Sequence, residues 1–179
     1  MNIFPAILIL LATLPASAAA HGASGGASAA PGGILSFALA AHVLVGLVAV
    51  MSAYALWMGV LRPRMNVGLL RGLSLSAAVS FILSWISGGY YYVVHYGSAV
   101  KPIVKESAYP WAHGIVMESK EHIFLLLPIL SIALAAFLFL SSEEEIAASR
   151  KGIALLSGFA ALSGVAVTLA GIIISAMAG

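Results

Sequence analysis

The chain has 179 residues, 62% hydrophobic and 8% charged, with a formal net charge of +2 and a mean hydropathy of +1.10. That composition belongs to an integral membrane protein and excludes an ordinary soluble domain. Cysteine is absent, which excludes disulfides, Cys-ligated zinc, iron–sulfur clusters and covalently attached c-type haem; no basic face with interleaved aromatics is present, so nucleic acid is not an expected partner.

The length accommodates one bundle of four or five spans and no large soluble domain. The first apolar run, IFPAILILLATLP, is followed by ASAAAH. It is short for a span and ends in small residues of A-x-A character, so residues 1–20 read as a signal peptide or an uncleaved anchor. Cleavage is expected after Ala18 or Ala20. Residues 21–33, HGASGGASAAPGG, read as a flexible linker.

Four spans are expected next, at about 34–61, 67–92, 121–140 and 152–177, each supplying the ~20 residues a helical crossing needs. Between them lie two short basic connections, one with Arg62, Arg64 and Arg71, the other with Arg150 and Lys151. The longer 95–120 connection carries Lys101, Lys105 and Lys120. The positive-inside rule places the short connections in the cytoplasm, and the 95–120 loop and both mature termini outside. Tyr109, Pro110 and Trp111 suit the membrane interface. Residues 111–122 are expected to form a helix running into the third span. Glu143, Glu144 and Glu145 read as a solvated connection. The expected architecture is an all-α, four-helix transmembrane bundle over residues 34–179.

Small residues recur at helical spacing and mark the packing faces. In the first span the stripe is His42, Gly46, Ala49 and Ala53. In the second it is Ser76, Ser80, Ser84, Ser87, Tyr91 and His95. In the fourth it is Gly164, Thr168, Gly171 and Ser175. The third span is bulkier, with Ala133 and Ala136 as its small positions and a kink expected at Pro128. His42 and His95 therefore face the bundle.

Five histidines are present, and His42, His95, His113 and His122 fall near the outer level. An intramembrane histidine marks a functional site unless a neighbouring helix simply satisfies it. Haem b is the first candidate, because its iron takes imidazoles from facing helices. His42 with His122 or His95 is the preferred ligand pair, and His113 is the next metal candidate. Gly46, Gly88 and Gly89 would make room for the macrocycle. Lys101, Lys105, Lys120 and Tyr91 would meet its propionates. Copper or another transition metal is the second candidate. HGIVMESKEH offers His113, Met117, Glu118, Glu121 and His122, with two pairs at i, i+4. A quinone pocket near Tyr90, Tyr91, Tyr92, His95 and Glu118 is the third; an aromatic belt explains the same tyrosines. Nucleophile elbow, H-E-x-x-H and P-loop motifs are absent.

His42, the segment SWISGGYYYVVHYG with His95, and PWAHGIVMESKEHIF with His113 and His122 give the chain a pattern over about residues 34–177. The pattern resembles small bacterial membrane proteins of the cytochrome b type. It is also similar to small multi-histidine proteins associated with assembly of haem–copper respiratory oxidases. The resemblance is one of pattern, without a signature matched residue by residue. It implies haem b and electron transfer, or a role in cofactor delivery, in the bacterial cytoplasmic membrane. An accessory subunit of a respiratory complex, its histidines purely structural, is the competing expectation.

Overall fold

The computed structural model of the chain describes residues 33–106 and 111–178; the side chains of Ala112, His113, Glu121 and residues 176–178 lie outside that description. The signal and linker segments at 1–32 fall outside it too, as do Tyr109 and Pro110. The described residues are helical apart from short connections, with no strand among them. The first helix, α1 (Gly33–Leu61), stops where Arg62 and Pro63 follow. Asn66 opens α2 (Val67–Tyr91), its Oδ1 accepting the Leu69 N–H at 3.0 Å, as an N-cap residue does.

The helix does not end at Tyr92. It continues as π-helical turns over Tyr92–Val100 and then as α3 (Lys101–Glu106), giving one helical run over Val67–Glu106 of 40 residues. At ~1.5 Å per residue this is about 60 Å, twice a ~30 Å hydrocarbon core, so its far end projects beyond the bilayer. The first half of the expected 95–120 loop is therefore helix. The reason is packing. Tyr96 and Val104 are buried with Met117 and Ile174, with Tyr91, Tyr92, Val100 and Val116 against them. Pro102 interrupts nothing, because it lies in the first turn of α3, where a missing N–H is tolerated.

A second π-helical stretch, Ala112–Met117, leads into α4 (Glu118–Leu140), so the chain enters the third span as helix. Pro128 lies inside α4 and is buried without ending it. A short α5 (Glu143–Ala148) precedes α6 (Arg150–Ala178). Among the described residues, four helical runs are long and apolar enough to cross a membrane: Gly33–Leu61, Val67–Glu106, Gly114–Leu140 and Arg150–Ser175.

These four form a ring in which α1 packs on α2, α2 on α4, α4 on α6 and α6 back on α1. Short connections make neighbours antiparallel, as in up-and-down bundles. The middle of the core joins Ala49, Ala53, Ala77, Phe81, Leu127 and Ala160. Glycines on α6 admit bulky groups from α1. A Cβ at Gly158 would stand 2.9 Å from the Trp57 ring, and one at Gly164 would stand 2.8 Å from Val50.

The inward faces differ from expectation in two helices. On α4, Ala133 and Ala136 are exposed, while Ser131, Leu134, Ala135 and Leu138 face the core. On α6, Thr168 and Ser175 are exposed; Ala160, Ala161, Gly164, Val167 and Ile174 turn inward. A helix buries whichever side its neighbours offer, and small residues alone do not mark that side when bulky apolar residues surround them.

One end of the bundle is held by arginine clasps. Arg71 of α2 donates from Nε to the Leu138 carbonyl at 2.7 Å and from Nη2 to the Ser141 carbonyl at 3.0 Å. Arg150 of α6 donates from Nε to the Val60 carbonyl at 2.9 Å and from Nη2 to the Arg62 carbonyl at 2.8 Å. The last carbonyls of a helix have no partner within it and carry its negative dipole end. A guanidinium from the adjacent helix satisfies both demands at α4 and at α1.

Candidate functional site: the His42 junction

At the opposite end, His42 joins α1 to α2. Its Nδ1 lies 2.8 Å from the Ser84 carbonyl oxygen. A carbonyl only accepts, so Nδ1 carries the proton and donates it. The Ser84 hydroxyl lies 3.1 Å from the same nitrogen and donates to the His42 carbonyl at 3.1 Å. The two residues thus close a reciprocal clasp between the helices. Nε2 then keeps its lone pair. That tautomer is the one in which histidine ligates a metal through Nε2 with Nδ1–H oriented by a carbonyl.

Glycine makes the clasp sterically feasible. A Cβ at Gly88 would overlap the His42 ring, coming within 2.7 Å of Cε1. Gly88 stands one turn beyond Ser84, where a side chain leaning back along the helix would cover the Ser84 carbonyl. Gly46 plays the matching part on α1, since a Cβ there would stand 3.0 Å from Ser84 Oγ. Gly46 and Gly88, expected to make room for a macrocycle, instead make room for this clasp; Gly89 is exposed, with nothing near it.

The third wall comes from α4. Phe124 meets the His42 ring edge-on at 5.8 Å. One turn earlier, Lys120 is half-buried, and its Nζ lies 3.5 Å from where a Cβ on Gly171 of α6 would stand. His42, Ser84, Gly88 and Phe124 therefore meet at one level, contributed by α1, α2 and α4, with Lys120 one turn earlier on α4 against Gly171 of α6.

The other expected ligands do not converge there. His95 is half-buried and rests against the Tyr91 ring at 5.3 Å. His122 is exposed and donates Nδ1–H to the Glu118 carbonyl of its own helix at 2.7 Å. With Glu118 and Ser119 it lines an open surface depression. His113 lies on the second π-helical stretch. Met117 is buried against Tyr96, Val104 and Ile174, away from His122. Tyr91 is half-buried, as is Lys101, while Lys105 is exposed. Among the described residues, no three of His, Cys, Asp or Glu stand together where they would hold a metal ion. Lys120, expected with Lys101 and Lys105 at the propionates, lies against Gly171 of α6.

Two polar features belong to packing. Ser52 Oγ and Ser76 Oγ lie 2.9 Å apart across α1 and α2. Ser157 donates back to Ile153 within α6 at 2.6 Å. Among the described residues, no buried side-chain nitrogen or oxygen is left without a hydrogen-bond partner.

Comparison with family models, with curated proteins and with solved structures found no match.

Proposed function

We propose that the protein is a membrane-embedded haem-b protein serving electron transfer, with His42 as an axial ligand. One observation carries the reading: the Ser84 carbonyl fixes the His42 Nδ1–H, leaving Nε2 as the basic nitrogen. A histidine satisfied as a mere packing residue would give the same first contact. Phe124 edge-on to the ring, with the half-buried Lys120 one turn before it, favours a site over simple packing.

Of the groups present, His42 would hold a haem b iron through Nε2. When bound, haem b supplies one-electron redox chemistry, its potential set by axial ligand and surroundings. The chain's own residues do the rest. Ser84 and Gly88 hold the imidazole in one tautomer and one orientation. Phe124 restricts ring rotation. The apolar walls of the bundle keep water from the ring. By the positive-inside rule the arginine end faces the cytoplasm and the His42 end the outer side, where exchange with a membrane quinone or a partner subunit would occur.

The test is a reduced-minus-oxidised absorption spectrum of the detergent-purified protein with pyridine haemochrome quantitation. Stoichiometric haem b is expected in the wild type. His42→Ala is expected to abolish it, and His122→Ala to leave it intact. Full haem content in a folded His42→Ala protein would sink the proposal.

A further inference from the structure

All the arginines of the chain, Arg62, Arg64, Arg71 and Arg150, stand at one end of the bundle, whereas the 95–120 segment at the other end has Lys101, Lys105 and Lys120 and no arginine. Two of the arginines are engaged on helix ends, Arg71 on the Leu138 and Ser141 carbonyls and Arg150 on the Val60 and Arg62 carbonyls. Arg62 and Arg64 are exposed, one on each side of Pro63. The turn that carries them is held along its length. The Arg62 carbonyl is tied to Arg150, Met65 packs against the cluster of Leu56, Val60, Leu70 and Ile153, and Asn66 caps α2. Pro63 fixes its own φ. Two guanidinium side chains therefore leave a fixed backbone at the end of the spans, and Lys151 is exposed beside Arg150 at the start of α6. The acidic residues of this end, Glu143, Glu144 and Glu145, lie on the other connection, and Glu145 is turned onto Ser142 at the start of its own helix.

We infer that the Arg62–Pro63–Arg64 turn binds the phosphate of an anionic phospholipid headgroup. The turn joins the end of one spanning helix to the start of the next, so its side chains meet the headgroup layer, where lipid phosphates are the anions at hand. A guanidinium presents a planar fork that takes two phosphate oxygens at once, whereas an ammonium acts as a point charge. Attraction to an anionic leaflet as a whole would be served equally by lysine. Paired forks on a held turn are suited to one headgroup, because the fixed backbone lowers the ordering cost of binding. A headgroup bound here lies at the opposite end of the bundle from His42 and owes nothing to the haem reading.

The experiment titrates full-length protein, delipidated in an uncharged detergent, with dihexanoyl phosphatidylglycerol, dihexanoyl phosphatidylcholine and sodium phosphate, read by calorimetry. Wild type should bind phosphatidylglycerol, and the other two at least about tenfold more weakly. Each basic residue at an anionic surface contributes about fivefold in affinity. The Arg62→Gln, Arg64→Gln double variant should therefore bind phosphatidylglycerol about tenfold more weakly or worse. Arg62→Lys with Arg64→Lys keeps the charge and should still lose about threefold. Lys101→Gln with Lys105→Gln removes the same charge from the other end and should bind as wild type does, with helical content unchanged in every variant by circular dichroism. Equal weakening by the two glutamine pairs reduces the effect to net charge and overturns the inference. Full affinity in the double lysine variant overturns it too, since the fork is then not what is read. Inorganic phosphate bound as tightly as phosphatidylglycerol makes this an ion site rather than a lipid site, and a wild type that does not bind phosphatidylglycerol has no headgroup site at all.

Discussion

The two ends of the bundle are joined by different chemistry. At one end Arg71 and Arg150 each reach to the carbonyl terminus of a neighbouring helix, making four bonds of 2.7–3.0 Å. These contacts tie backbone to side chain, complement the helix dipoles and leave a closed apolar core of Leu56, Val60, Leu70, Leu138, Ile146 and Ile153. At the other end the joint is an imidazole. His42 meets a backbone carbonyl through one nitrogen and leaves the other free, and the neighbouring helices widen into π-helical turns at Tyr92–Val100 and Ala112–Met117. Such turns are often found at functional sites. The arginine end is tied by side chains to helix termini, and the histidine end by a reciprocal clasp between α1 and α2.

Substitutions separate the two ends. The largest effect is expected from Gly88→Ala. Its new Cβ overlaps the His42 ring, so the ring or α2 must shift. Overpacking of this kind costs about 1–3 kcal/mol. Thermal unfolding in detergent should fall accordingly, and haem b should be lost with it. Retention of both stability and haem would show that the His42 clasp is dispensable.

Removing a clasp at the other end should lower stability and leave the site alone. Arg71→Ala and Arg150→Ala each remove charge-assisted bonds worth about 1–3 kcal/mol. They act on different helix ends, so their costs should add. Haem content per folded protein should not change. A loss of haem in either variant would mean that the two ends are coupled.

The smallest effect is expected at the α5 capping box. Ser142 N–H and Oγ–H donate to the Glu145 carboxylate at 2.8 and 2.9 Å, and Glu145 N–H donates back to Ser142 Oγ at 3.3 Å. These bonds, the backbone one first, hold the Glu145 carboxyl below the usual carboxylate range. A depressed native pKa contributes stability that is present above the unfolded value and is lost as pH falls through the native value. Glu145→Gln should therefore be slightly less stable than wild type at neutral pH. That difference should vanish in acid. A pH-independent difference would remove the carboxylate from the explanation.

Much of this was legible in the sequence. The long apolar runs and the basic connections give four spans, because lipid leaves the backbone no alternative to helix. The meeting of His42 with the serine stripe of α2 was legible too, since Ser84 and Gly46 follow helical spacing and small residues mark close approach. The inward face of α4 was not, because residues of similar hydropathy cover it on all sides and Ala133 and Ala136 proved to face outward. Lys120 read as an interfacial lysine, since a cation at a helix start carries no sign of which way it turns. The helix beyond Tyr92 read as loop, because glycine and aromatic clusters also end spans.

The sequence by itself determined the class of this protein, an all-α membrane bundle with its histidines gathered toward one end. Composition and period fix that much, because burial in lipid depends on summed hydropathy and on repeat spacing. Only the tertiary structure decided which nitrogen of His42 is engaged, which face α4 buries and that Lys120 leans over Gly171. Those outcomes depend on distances of a few ångströms between helices remote in sequence, where one missing Cβ decides whether an imidazole fits.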